Sequence, residues 1–369
     1  MRVLHLRDSP WLDGPGRTIV ETGAHVDPSR IEYHIGALVA KGSTEHALVD
    51  AARRRGLNIV QIEDRGRLDR QFLDQIVALI DRLEIDVLHA SEFRSSLIAQ
   101  FIRRRRPKLR YVATVHGWIA NTARRRIIRF LDKLLLRSFD HVVAVSDATR
   151  ALIPRWWVAD RKVTVLRNAL VLKTYGKDVV LTRRRPPVDG KAVLLNVGRL
   201  SPEKGQEMLL EALHALSSKW PSLRLKFAGI GPLEQTLRDK AAALGIADRV
   251  EFIGYVTQMP SLYAQVDLLV QSSFTEGLPN VILEAAYLQV PIVATAVGGT
   301  AEVVGHQRTA WMIEPDLQQL IDGIDRYMSA PEYFIEMAQR AHRDIVEQFS
   351  FDVRTERMTE IYERLVMRS

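Results

Sequence analysis

A chain of 369 residues, 47% of them hydrophobic, is long enough for two globular domains at roughly 150 residues each. It contains no cysteine, which excludes disulfides, a thiolate nucleophile and a cysteine-ligated metal. The net charge of +8 is unevenly spread: residues 1–188 carry 35 Lys and Arg against 20 Asp and Glu, and residues 189–369 carry 17 against 24, as expected of two domains with different partners.

The first element, Met1 to Leu6, reads as a strand and lacks the apolar core of a signal peptide. No apolar run approaches the ~20 residues of a membrane span. The expectation is a cytoplasmic protein, soluble or peripheral at the inner face of the membrane. After this strand, Leu12-Asp13-Gly14-Pro15-Gly16-Arg17-Thr18 forms a loop before a helix. Either Gly14 or Gly16 lets backbone approach a phosphate or sugar, or the segment is an ordinary turn. Apolar runs at 35–39, 58–62, 87–89, 111–115 and 141–145 alternate with helix-length segments, the signature of a parallel sheet. His116 ends the strand Tyr111 to Val115 and precedes Gly117, so it emerges at the strand's carboxyl end. A lone histidine is more often structural than functional. Trp118 either stacks on a ligand or caps the core.

In residues 124–137, helical spacing places Ile127, Leu131, Leu134 and Leu135 on one face and Arg126, Arg129, Lys133 and Arg137 on the other. Two readings stand: a core helix with a solvated basic back, or a surface that meets anionic lipid, extended by Arg103 to Arg106. Nucleic acid is disfavoured, because no recognised motif accompanies the charge. The basic stretch Thr182 to Gly190, with two prolines, marks the domain boundary, giving domains of 1–180 and 181–351 and a terminal helix at 352–369.

Runs at 192–197, 223–228, 250–253, 268–270 and 292–295 repeat the strand–helix rhythm. The architecture is therefore α/β: two doubly wound, Rossmann-like domains. Ligands of such sheets bind beyond the carboxyl ends of the strands, so the cleft between the domains is the expected site. Gly198-Arg199 follows the first of these strands, and Lys204-Gly205 starts the next helix. Arg199 and Lys204 are either solvated surface or cations for an anionic ligand. After Leu268 to Val270 comes Ser272-Ser273-Phe274-Thr275-Glu276-Gly277-Leu278-Pro279-Asn280, with Pro279 as the first residue of a helix that carries Glu284. A helix start attracts phosphate. Glu276 and Glu284 then border one anionic ligand and accept hydrogen bonds from hydroxyls flanking its phosphates, as in a nucleotide-sugar.

The spacing of Glu276 and Glu284 resembles the Glu-x7-Glu segment of the retaining, nucleotide-sugar-dependent glycosyltransferases of family 4, which have the two-domain GT-B fold. Val193 to Gly205 is similar to that family's strand, Gly-Arg turn and Lys-Gly helix start, and Pro291 to Glu302 to its strand and Gly-Gly loop. The resemblance implies transfer of a sugar from a nucleoside diphosphate to a glycan or polyprenyl-linked acceptor, in cell-surface polysaccharide assembly. It implies Arg199 and Lys204 on the diphosphate, Glu276 on the donor hydroxyls and His116 near the transferred sugar. Gly277, Leu278, Pro279, Asn280 and Glu284 line the donor site, and backbone at Gly254 and Tyr255 lies beside the base. No cofactor or metal is expected beyond the co-substrate. The terminal helix is expected to cross back onto the first domain. The sequence departs from the family in three places: Pro15 separates the two glycines, and Gln289 and Ala310 replace frequent glycines. Alternatives are another GT-B reaction, such as sugar-nucleotide epimerisation or phosphorolysis, and a non-catalytic, basic nucleic-acid-binding module.

Overall fold

A computed structural model describes residues 1–43, 46–66, 69–118, 123–172, 175 and 186–367, with the side chains of 123–125 outside the description. The chain divides into two compact units, one of Met1–Asn168 with Phe351–Ser369, the other of Ala169–Ser350. The sequence reading set the boundary twelve residues later, at 180/181. Residues 169–172 are tied to the second unit by the Leu170 N–H on the Phe349 carbonyl at 2.9 Å and by the Tyr287 hydroxyl on the Leu172 carbonyl at 2.7 Å. The arginines of the expected linker, 183–185, lie outside the described residues.

The first unit contains β1 (Arg2–Arg7), α1 (Gly14–His25), β2 (Glu32–Ala40), α2 (Ala47–Arg54), β3 (Asn58–Asp64), α3 (Arg70–Arg82), β4 (Val87–Ala90), α4 (Phe93–Arg105), β5 (Arg110–Val115), α5 (Ala123–Leu135), β6 (His141–Ala144), α6 (Asp147–Ala151) and β7 (Val163–Val165). Its strands form a parallel sheet in the order β3-β2-β1-β4-β5-β6-β7, with Leu4 beside Leu88. Alternating side chains feed two cores. Leu4, Leu6, Leu88 and Tyr111 pack with Ile76, Ile80, Ile98 and Ile102 of α3 and α4. Val3, Ile35, Val87 and Val112 pack with Ile19, Val20 and Leu48 of α1 and α2.

The second unit contains β8 (Val193–Val197), α7 (Gln206–Leu216), β9 (Arg224–Ala228), α8 (Glu234–Ala243), β10 (Val250–Gly254), α9 (Met259–Tyr263), β11 (Leu268–Gln271), α10 (Asn280–Tyr287), β12 (Ile292–Thr295), β13 (Trp311–Ile313), α11 (Leu317–Ser329) and α12 (Pro331–Gln348). Its parallel order is β10-β9-β8-β11-β12-β13. Both sheets are thus doubly wound, and each reverses direction beside its first strand, between β1 and β4 and between β8 and β11. Strands β7 and β13 were not expected from the sequence, because three residues are too few to show alternation. Gln289, just after α10, adopts φ +55°, a left-handed conformation that glycine would take at about 1 kcal/mol less.

The terminal helix α13 (Phe351–Val366) belongs to the first unit. Met358, Ile361 and Tyr362 enter its core, and Arg30 pairs with Glu356 and Glu363 at 2.8 Å each.

Helix α5 differs from expectation on both faces. Ile127, Phe130, Leu131 and Leu134 are exposed, at 62%, 55%, 41% and 37%, so this stripe is not a core face. Lys133, expected to be solvated, packs its ammonium 4.8 Å above the Trp118 ring. Of Arg103 to Arg106, only Arg104 is exposed, over the Phe101 ring; the other three are held by acids. Arg103 bonds Asp140 at 2.9 Å, Arg105 bonds Asp74 at 2.5 Å and Arg106 bonds Asp81, carboxylates 25 to 37 residues away in sequence.

Candidate active site

The second unit brings the loops after β8 and β11 together at the point where the strand order reverses, the usual ligand position of such a sheet. After β8, Gly198 donates its N–H to the Ala228 carbonyl at 2.9 Å, and Arg199 turns outward, exposed. Among the described residues the Arg199 guanidinium meets no acceptor. Its carbonyl is held by the Gln206 side chain at 3.0 Å, which fixes the turn. Gly205 then takes φ +65°, and a Cβ there would lie 2.1 Å from the Ser272 carbonyl oxygen. Only glycine allows this contact. Two further bonds stitch the turn to the β11 loop: Ser272 Oγ donates to the Lys204 carbonyl at 3.0 Å, and the Phe274 N–H to the Glu203 carbonyl at 2.8 Å.

This stitching sets Lys204 against Glu276. The ammonium Nζ lies 2.7 Å from Glu276 Oε1, and the Ser273 hydroxyl donates to the same oxygen at 2.6 Å. The Glu276 side chain is 8% exposed and that of Lys204 25%. Both recorded bonds fall on Oε1, so among the described residues Oε2 meets no donor. The backbone of Glu276 is backed by the Gly-Gly loop after β12. Gly298, at φ +54°, would place a Cβ 1.9 Å from the Glu276 carbonyl oxygen, and Gly299 donates to the Gly277 carbonyl at 2.7 Å.

Pro279 caps α10 in extended conformation, and Asn280 is the first helical residue, one position later than the sequence suggested. Proline closes a turn whose ψ of 113° is not helical, so the helix begins after it. Leu278 is buried, and Asn280 Oδ1 is enclosed without a partner among the described residues. Glu284 lies on the fifth residue of α10, 4% exposed, with the Tyr263 hydroxyl 3.3 Å from its Oε2. Gly254 ends β10 at φ +69°, its carbonyl accepting from Gly229 at 2.7 Å, and the Tyr255 ring beyond it is 41% exposed. Arg199, Lys204, Glu276 and Gly277 thus share one set of interlocked loops, whereas Gly254 and Tyr255 stand at the end of the edge strand β10, two strands from β8.

In the first unit, Gly14, Pro15 and Gly16 are not a loop but the first turn of α1, capped by Asp13, whose carboxylate accepts from the Gly16 N–H at 3.0 Å. A Cβ on Gly16 would lie 2.9 Å from the Trp11 carbonyl oxygen, so Gly16 serves the chain's own packing. Pro15 and His116 line the same small cavity, about 10 Å³, with room for about one water. His116 Nε2 is enclosed and, among the described residues, unpartnered. Burial, and then the charges of Arg7 and Arg354, push its pKa down to about 3, so the imidazole is neutral. His89 lies behind it as a structural group, bonding Tyr362 at 2.6 Å and Thr114 at 2.7 Å and stacking on His5 at 3.8 Å. Trp118 is committed too: its indole N–H donates to Asp132 at 2.6 Å, so it is not a free stacking platform.

Sequence reasoning passed over Ser273, which shares Glu276 Oε1, and the buried Arg7. The guanidinium of Arg7 pairs with Asp13 at 2.7 Å and Glu92 at 2.6 Å. The Asp13 cap and an arginine at the end of a buried strand were the available signals.

Residues 181–344 match the model of the glycosyl transferases group 1, and residues 12–173 match that of glycosyltransferase family 4. The chain belongs to this glycosyltransferase family. It is 28% identical over 220 residues to an uncharacterised glycosyltransferase of Haemophilus influenzae, covering 58% of this chain and 60% of that one. To a lipopolysaccharide core biosynthesis mannosyltransferase of Rhizobium meliloti it is 27% identical over 246 residues, 64% of this chain and 68% of the relative. Among other curated relatives the matched stretch spans 43% and 48% of their length. The chain is similar in fold to the Anabaena HepE protein crystallised with UDP and glucose, with a TM-score of 0.85 at 19% identity, covering 99% of this chain and 100% of that one. The architecture is GT-B.

Proposed function

We propose that the enzyme is a retaining, metal-independent hexosyltransferase that moves a sugar from a nucleoside-diphosphate sugar to a glycan or polyprenyl-linked acceptor in cell-surface polysaccharide synthesis. The observation that carries this reading is the Lys204–Glu276 pair at 2.7 Å, set beside the exposed Arg199, which meets no acceptor among the described residues, and the start of α10. A diphosphate fits this arrangement because it meets two cations and a helix N-terminus. A sugar hydroxyl fits the open Oε2 of Glu276. The names of two relatives point the same way: a mannosyltransferase of lipopolysaccharide core synthesis, and a fold neighbour crystallised with UDP and glucose.

In this reading the bond from the anomeric carbon to the diphosphate oxygen breaks while the acceptor oxygen bonds the same face of that carbon. The leaving diphosphate takes the acceptor's proton. Arg199 and Lys204 neutralise the charge growing on the diphosphate; one preorganised donor to a developing anion contributes roughly 3 kcal/mol. Glu276 orders the donor hydroxyls, and Glu284, with its tyrosine partner, holds the nucleoside portion. Gly254 and Tyr255 flank the base, and Gly277 to Asn280 form the donor wall. His116, a neutral imidazole whose enclosed Nε2 has no partner among the described residues, is assigned to positioning near the transferred sugar. Gly14, half-buried in the first turn of α1, is assigned the close approach to ligand, since Gly16 is engaged by Trp11. The basic balance of residues 1–188 supports a place at the inner face of a membrane.

The test is Glu276→Gln. The amide keeps the size and can still accept from Ser273, but it removes the charge facing Lys204 and the donor hydroxyls. Transfer should fall at least about a hundredfold with the fold intact, in the range seen for loss of one preorganised group. Ordinary turnover by this variant would sink the assignment. Release of free nucleoside diphosphate only when acceptor is present separates transfer from epimerisation.

A further inference from the structure

Helix α5 presents to solvent what an amphipathic helix normally hides. Ile127, Phe130, Leu131 and Leu134 are exposed at 62%, 55%, 41% and 37%. For comparison, Ile98 and Ile102 of the adjacent α4 are 0% exposed. The stripe also continues beyond its own helix. Phe130 meets Trp157 edge-on at 5.5 Å, and Trp157 meets Trp156 at 4.5 Å, so the aromatic surface runs from α5 onto the 155–157 turn. Trp156 stands out at 77% exposure. A contiguous exposed apolar patch of this kind marks an interaction surface on a soluble protein.

The charges around the patch select its partner. Arg126, Arg129 and Arg137 are exposed beside it, and the Arg155 side chain is 81% exposed. The single acid of the helix, Asp132, is withdrawn onto the Trp118 indole. A partner must therefore offer negative charge and an apolar interior over one broad face. A bilayer of anionic phospholipid does so: arginines meet headgroups, aliphatic side chains enter the acyl boundary, and tryptophan sits at the interface between them.

We propose that α5 and the Trp156 turn form an interfacial wedge that inserts into an anionic bilayer, so that attachment is hydrophobic as well as electrostatic. Such a wedge acts on the acceptor side of the enzyme. Trp118, two residues past His116, is bonded to Asp132 at 2.6 Å and covered by Lys133 at 4.8 Å, which ties α5 to the strand end that carries His116. If the transferase reading above holds, the wedge narrows the acceptor to a lipid-anchored one. The membrane contact itself does not depend on that reading.

The experiment is flotation of the full chain with phosphatidylglycerol/phosphatidylcholine vesicles and with pure phosphatidylcholine vesicles, at 0.1 M and 1 M NaCl. Three proteins are compared: wild type, the apolar variant Ile127→Ser/Phe130→Ser/Trp156→Ser, and the charge variant Arg126→Gln/Arg129→Gln/Arg137→Gln. All substituted side chains are exposed, so melting temperatures should match, and this is checked first. Salt at 1 M shortens the screening length to about 3 Å and removes most of the electrostatic part. Wild type should bind the anionic vesicles at both salts, weakening but not vanishing at 1 M. The apolar variant should lose at least tenfold in affinity and all binding at 1 M, while the charge variant should lose mainly the preference for anionic lipid. Tryptophan emission quenched by bromo-lipids in wild type, and reduced in Trp156→Phe, reports the insertion directly. Binding that 1 M NaCl abolishes in wild type, without quenching, would mean attachment by charge alone and overturns the wedge. So does absence of vesicle binding together with self-association or capture of a protein through the same residues. None of these readouts uses turnover, so they stand apart from any failure of the transferase assignment.

Discussion

The Gly298→Ala substitution isolates the packing that positions Glu276. Alanine at φ +54° carries the left-handed penalty of about 1 kcal/mol. Its Cβ would in addition sit 1.9 Å from the Glu276 carbonyl oxygen, whereas a carbon and an oxygen in contact keep about 3.3 Å. The Glu276 backbone, or the Gly298 loop, must then retreat by roughly 1.4 Å, and overpacking of this kind typically costs about 1–3 kcal/mol more. Misplacement of a catalytic group by about 1 Å is enough to lower turnover about a hundredfold. The matched control is Gly245→Ala. That glycine has φ +68° but nothing within 4 Å of the added carbon, so it carries the backbone penalty alone. Thermal melts and sugar-transfer rates on both variants decide the matter. Gly298→Ala should melt lower than Gly245→Ala and lose about two orders of magnitude in turnover, while Gly245→Ala keeps normal turnover. Equal turnover in the two variants would refute the claim that the Gly-Gly loop sets Glu276.

Arg199→Ala and Lys204→Ala should each depress turnover, Lys204→Ala more, because it also strips Glu276 of its partner at 2.7 Å; the double variant should lose less than the two losses combined, and full additivity in steady-state kinetics would separate the two cations. Turnover should survive removal of divalent ions by a chelator, and strict metal dependence would contradict charge neutralisation by Arg199 and Lys204. His141, 5% exposed on β6 and bonded to the Thr164 hydroxyl at 2.9 Å, has its pKa pushed down to about 4 by burial and then by Arg364 and Lys162. The folded chain therefore binds fewer protons than the unfolded chain between that value and the ordinary 6.5. The stability is fully present above this window and is lost as pH falls through it, at up to about 1.4 kcal/mol per pH unit. His141→Gln should lower the slope of the melting-temperature profile across that window, the remainder coming from other histidines of lowered pKa, His116 among them, and an unaltered profile would contradict the assignment.

The fold was legible wherever a strand was long and buried on both faces, as at Val193–Val197 or Arg110–Val115, and the order of strands and helices then required two doubly wound sheets. Residues with strong local signatures were legible as well: Lys204 and Glu276 were singled out from their motifs, and they bond each other. What was not legible depends on long-range placement. Periodicity shows that Ile127, Leu131 and Leu134 share a face of α5, but it does not say whether anything covers that face, and the three side chains are exposed. Arg103, Arg105 and Arg106 looked like part of a basic patch because their carboxylate partners, Asp140, Asp74 and Asp81, are remote in sequence. The start of α1 was misplaced although its signals were local: Asp13 as cap and Pro15 in the first turn were outweighed by two glycines that suggest a loop. The left-handed Gly205 and Gly298 belong to recognisable motifs, yet the reason for them, the Ser272 and Glu276 carbonyls pressed against each, is visible only in three dimensions.

The central claim is that the loops after β8 and β11 form a nucleoside-diphosphate site held by Arg199 and Lys204. The most direct measurement is calorimetric titration of the full chain with UDP, GDP, ADP, CDP and dTDP, for wild type and for Arg199→Ala/Lys204→Ala. Wild type should bind at least one of the five, and the double variant should bind that nucleotide at least about tenfold more weakly, as expected when cations facing a diphosphate are removed. Equal affinity in the two proteins, or no binding of any of the five to wild type, would contradict it.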